Sequence, residues 1–74
     1  MITVDDYVAS KRLGTSFVLT AANLQAASAD EFHDAVAPCV IARGGNGFVV
    51  TGEPVTESQT GQRLFALVHC MRTS

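Results

Sequence analysis

The sequence predicts an α+β fold: an antiparallel sheet of three to four strands, one main helix packed on one face, and a short N-terminal helix. Three observations carry this reading. Two helix-start signatures stand at Thr3 with Asp6 and at Ser28 with Glu31. Two β-rich runs flank the Gly- and Asn-rich segment Gly44-Gly45-Asn46-Gly47. A final run from Arg63 to Met71 is almost entirely apolar.

Residues 3–14 read as the short helix. Thr3 is its N-cap, and Asp5 and Asp6 lie at the positive end of the helix dipole. Lys11 and Arg12 lie at the negative end, and Gly14 offers a left-handed residue beyond it. Val4, Tyr7, Val8 and Leu13 form a narrow apolar stripe. A helix this short is marginal by itself, so an extended N-terminus is the alternative. Residues 15–20, rich in β-branched and aromatic side chains, read as a strand.

The Ala-rich segment Ala21–Ala37 reads as helical, starting near Asn23 or only at Ala29. Asp30 and Glu31 occupy the first turn after Ser28, and Phe32, Ala35 and Val36 share the face expected to meet the sheet. Pro38 is the expected stop, because it disfavours helical backbone at Ala37. Cys39–Arg43 and Phe48–Thr51 are then two strands of a hairpin that turns at residues 44–47. Residues 53–62, polar and containing Pro54 and Gly61, read as a loop. In the last strand, 63–71, alternation puts Leu64, Ala66, Val68 and Cys70 on one side and Phe65, Leu67, His69 and Met71 on the other. Apolar residues on both faces suit a central strand or one whose outer face meets a partner.

The 74 residues fit one domain, 1–74. A chain this short buries only about 60% of the surface its unfolded form exposes, which leaves little core to hollow into a substrate cleft. Non-enzymatic work through the surface is the expectation. Two cysteines exclude a disulfide-rich scaffold, and no run approaches the length of a membrane span. The N-terminus has no basic-then-apolar leader, so a cytoplasmic location with both thiols reduced is expected. A Cys39–Cys70 disulfide would require neighbouring strands and an oxidising compartment.

Motifs for chemistry are missing. The glycine cluster lacks the Lys-Ser/Thr of a P-loop, and a strand rather than a helix follows it, so no nucleotide cofactor is implied. Cys39 with His33 or His69 matches no nucleophile signature, and adjacent His69 and Cys70 point to opposite faces of a strand, which makes them poor joint metal ligands. Only Lys11, Arg12, Arg43, Arg63 and Arg72 are basic, and they are scattered; direct nucleic-acid binding is disfavoured.

The acidic residues are distributed unevenly. Residues 1–34 carry five carboxylates and two cations, a net of −3, while residues 35–74 carry +1. Asp5, Asp6, Asp30, Glu31 and Asp34 admit two readings: simple capping and complementation of the helix dipoles, or a candidate patch for a basic partner, which Glu53 and Glu57 would extend. In size, acidity and mixed α+β layout the whole chain resembles the small phage-encoded anti-CRISPR inhibitors. The resemblance implies a protein partner, a CRISPR effector complex in the host-cell cytoplasm. It also implies inhibition by carboxylates standing where DNA phosphates normally sit. The alternative is a structural or assembly module that homodimerises through the 63–71 face.

Overall fold

The computed structural model describes residues 1–74. The elements in chain order are α1 (Val4–Ala9), β1 (Ser16–Thr20), α2 (Ala21–Leu24), α3 (Ala29–Ala42), β2 (Gly44–Gly45), β3 (Phe48–Val50), β4 (Val55–Gln59) and β5 (Gln62–Arg72). The fold is α+β with an antiparallel sheet, and β5 is its central strand. β1 lies along one edge of β5, pairing Ser16 with Met71 through Thr20 with Leu67. β3 and β4 follow one another along the other edge, with Phe48 opposite Arg72 and Gln59 opposite Gln62. The short β2 continues the sheet beyond β3. All three helices pack on one face. Val8, Leu24, Phe32 and Val36 from the helices meet Phe17, Leu19, Phe48, Val50, Val68 and Cys70 from the sheet in one core. No helix is long and apolar enough to cross a membrane.

In both helix-start signatures the N-cap hydroxyl works as expected, while the reciprocal carboxylate bond to the N-cap N–H is made in neither. The Asp6 N–H donates to Thr3 Oγ1 at 3.1 Å, and the Glu31 N–H donates to Ser28 Oγ at 3.1 Å. Glu31 Oε1 then accepts from the Ala27 N–H, one residue upstream of the usual capping-box donor. Between these starts the Ala-rich segment splits. Thr20 caps α2, Gln25 takes a left-handed conformation (φ 57°), and the main helix begins at Ala29.

Four expectations are corrected. First, α1 stops at Ala9, capped by Ser10, whose hydroxyl donates to the Tyr7 carbonyl at 2.6 Å. Lys11 and Arg12 therefore lie beyond the helix, and Leu13 is 66% exposed instead of extending the stripe. Second, Pro38 does not end the main helix, which runs through Cys39–Ala42 to a left-handed Arg43. A proline inside a helix removes a hydrogen bond and costs about 3 kcal/mol. The helical path nevertheless places Phe32, Val36, Cys39 and Val40 at i, i+4, i+7 and i+8, all against the core. That burial outweighs the local β-preference of the Cys-Val-Ile run. Ile41, 81% exposed, points the other way. The expected strand 39–43 is therefore helix, and the hairpin shrinks to Gly44–Gly45 against Phe48–Val49.

Third, the expected loop 53–62 contains β4 and the start of β5, joined by Thr60 (φ 47°) and Gly61 (φ 79°). Two consecutive positive φ angles make the tight turn whose twist suits a hairpin. β4 is polar and mostly exposed, so it lacks the apolar alternation that announces a strand. Fourth, a register shift between Val55 and Thr56 sets these residues opposite Leu67 and Phe65, leaving Ala66 as the extra residue of a bulge. Phe65 thereby leaves the outer set and packs against the core under α3.

Candidate interaction surface

Arg72 joins the two ends of the chain. Its guanidinium Nη1 donates to the carbonyls of Val8, Ala9 and Lys11, just where α1 ends. Neither α1 nor α3 has a basic residue in its last turn. The strand end therefore supplies the positive charge that the C-terminal carbonyls of α1 attract. Lys11 is occupied too: its Nζ sits 4.5 Å from the centre of the Tyr7 ring, a cation–π contact.

The acidic side chains are disposed differently. Asp5, Asp6, Asp30, Glu31, Asp34, Glu53 and Glu57 are all exposed. The first five belong to α1 and α3, whose residues include no Lys or Arg. The two helices share the layer over the sheet, and the Asp5 charge is near enough to Cys39 of α3 to push that thiol's pKa up, second to burial. Glu57 stands apart on β4, and Glu53 lies on the bend between β3 and β4. The fold thus brings five of the seven residues onto one layer and distributes the other two along the sheet.

Both thiols are free. Cys70 is buried in the core; burial, and then the neighbouring Cys39, push its pKa up to about 11. Burial likewise raises Cys39. A nucleophilic thiol needs the opposite shift. At pH 8 the folded Cys70 should react with iodoacetamide at least about a hundredfold more slowly than in denaturant, because its thiolate fraction is smaller and burial keeps the reagent out. Equal rates would contradict its burial. The sign of the pH dependence follows: folding holds this proton more tightly than the unfolded chain does. The stability that Cys70 contributes is complete below the ordinary thiol range and is lost as pH rises toward about 11. No three His, Cys, Asp or Glu side chains are grouped to hold a metal ion.

His33, on α3, lies with its ring stacked on Phe65, centroids 4.9 Å apart and planes inclined by 19°. Its Nδ1 accepts the Phe65 N–H at 3.0 Å, so Nε2 carries the proton in this arrangement. Nothing in the sequence signals this contact between residues 32 apart, nor the reach of Arg72 back to α1.

Two apolar surfaces remain open. A groove of about 360 Å³ runs between Thr20–Ala22, where the chain turns from β1 into α2, and Leu64–Ala66 of β5. Ala29 and Phe32 contribute to its lining, and Glu57 and Gln59 complete it. The second is the sheet face away from the helices. There Val49 (37% exposed) and Val55 (47% exposed) flank the partly buried Val18, Leu67 and Met71, with His69 among them. In comparisons with known proteins, the chain matches no family model, no curated protein and no solved structure.

Proposed function

We propose that this protein is a small non-enzymatic interaction protein whose acidic helical layer docks on a basic, nucleic-acid-handling surface of another protein, as an anti-CRISPR inhibitor would on a CRISPR effector. One observation carries the reading: five exposed carboxylates share a helical layer whose helices include no Lys or Arg. Of the nearby cations, Arg72 is engaged by the end of α1 and Lys11 by Tyr7, while Arg12 and Arg43 are exposed just beyond the ends of α1 and α3. Such a surface steers toward a basic groove and competes with phosphates for it.

The test is a titration of the protein against an effector complex loaded with labelled duplex DNA, at increasing salt. DNA should be displaced at low salt, and the effect should fade as ions screen the contact. Asp30→Lys with Asp34→Lys should weaken displacement by about tenfold or more at low salt, because opposite charges become like charges in the contact. Glu31 is left in place because its carboxylate also caps α3. Unchanged DNA occupancy at low salt would overturn the inhibitor reading, and full displacement by the double variant would overturn the patch.

A second reading, an assembly module, is favoured by the apolar residues of the outer sheet face. Val18, Val49, Val55, Leu67 and Met71 offer apolar area that no helix covers, and this face lacks the repulsion that the acidic layer would generate against its own copy. Sedimentation at micromolar concentration tests it. A dimer that dissociates on Leu67→Lys supports self-pairing there, whereas a monomer at every concentration counts against it.

A further inference from the structure

β1 ends at Thr20 because that residue caps α2, its Oγ1 accepting the Asn23 N–H at 3.1 Å. On that side of β5 the pairing stops at Leu67, while β5 itself continues five residues further back, to Gln62. β4 covers the opposite edge of this stretch. A strand edge is therefore left without a neighbouring strand, directly beside the groove between Ala21, Ala22 and Leu64–Ala66.

The direction of the backbone groups follows from the turn. Gln62 pairs with Gln59 across the two-residue loop, so alternation aims the N–H and C=O of Arg63 and Phe65 away from β4. The Phe65 N–H confirms the direction, since it leaves the sheet to reach His33 Nδ1. His33 blunts one donor of the edge and leaves the Arg63 groups and the Phe65 carbonyl for a partner.

We propose that this edge and its groove form a docking site for an extended peptide segment of a partner protein, added as a strand in continuation of β1. The backbone edge supplies hydrogen bonds, and the alanine-lined groove admits the inward-facing side chains of the segment. Glu57 in the wall, and exposed Asp30 and Glu31 next to Ala29, outnumber the one cation of the edge, exposed Arg63, and select basic over acidic residues in it. This surface shares Asp30 and Glu31 with the acidic layer of the proposed inhibitor contact, but it rests on the β5 edge and the groove, and peptide binding here is read separately from DNA displacement there.

The test is a titration of the ¹⁵N-labelled protein with three eight-residue probe peptides, alternating Val with Lys, Thr or Glu. The Val-Lys peptide should bind most tightly, with amide shifts centred on residues 20–22 and 62–66 and with slowed exchange at the Arg63 N–H. Methylating alternate peptide nitrogens should weaken it about tenfold, the effect of losing strand hydrogen bonds. Ala22→Leu should do the same by filling the groove, because Ala22 is exposed and leucine keeps the helix. Unshifted spectra at about 1 mM of every peptide would overturn the proposal. So would equal binding of the methylated probe, or shifts centred on Leu67, His69 and Met71, which would place the peptide on the outer sheet face instead.

Discussion

Phe32→Ala should remove a large share of the stability of the fold. Phe32 is fully buried at the meeting of α3 with the sheet and also lines the groove. Truncating a buried Phe costs about 3–5 kcal/mol through lost transfer energy and the cavity left behind. A domain of this length is stable by only roughly 4–11 kcal/mol. The melting temperature should fall by at least about 12 °C, taking 4 °C per kcal/mol as the lower figure for a small domain. A fall under about 5 °C would mean that α3 does not anchor the core through this residue. The binding tests therefore use surface changes at Asp30, Asp34 and Ala22, which leave the core intact.

Arg72→Ala should be the most damaging change outside the apolar core, although Arg72 is not fully buried. Its guanidinium holds three carbonyls at the end of α1, and it also donates to the Ser74 carbonyl through Nε at 3.1 Å. Hydrogen bonds from a charged donor contribute about 1.5–3 kcal/mol when one partner is removed. The loss should be concentrated in α1, so amide exchange at Tyr7 and Val8 should accelerate more than exchange in β5. Arg72→Lys keeps the charge but not the fork of donors, and should recover only part of the loss. Uniform acceleration across the chain would show that the residue matters to the sheet and not to the helix end. α1 matters to the proposed contact because it carries Asp5 and Asp6.

The legible part of the fold was the part encoded by local rules. The caps at Thr3 and Ser28, the strand 16–20 and the inward pair Val68 and Cys70 follow from residues within a few positions of one another. The seven carboxylates were also visible, and their exposure follows from their charge. The grouping was less legible. That Asp5 lies near Cys39, and that Glu53 and Glu57 stand away from α1 and α3, depends on how the helices are laid across the sheet.

Local reading failed where two rules competed. At Pro38 the breaker signal and the β-branched Val40 and Ile41 favoured a strand, but burial of Val36, Cys39 and Val40 on one helical face decided for helix. At Val55–Gln59 the polar side chains favoured a loop, but the unpaired backbone of β5 supplied a partner and made a strand. Composition and spacing by themselves determined the class of fold, the helix starts and the excess of acid in the first half. Tertiary structure alone decided the length of α3, the strand at residues 55–59, the His33–Phe65 contact, the clasp of Arg72 on α1 and the open edge beside Ala21 and Ala22. Four of the five depend on burial or hydrogen bonding between segments distant in the chain, and the strand at 55–59 depends on backbone pairing with its hairpin neighbour β5; these energies exceed the local preferences a sequence displays.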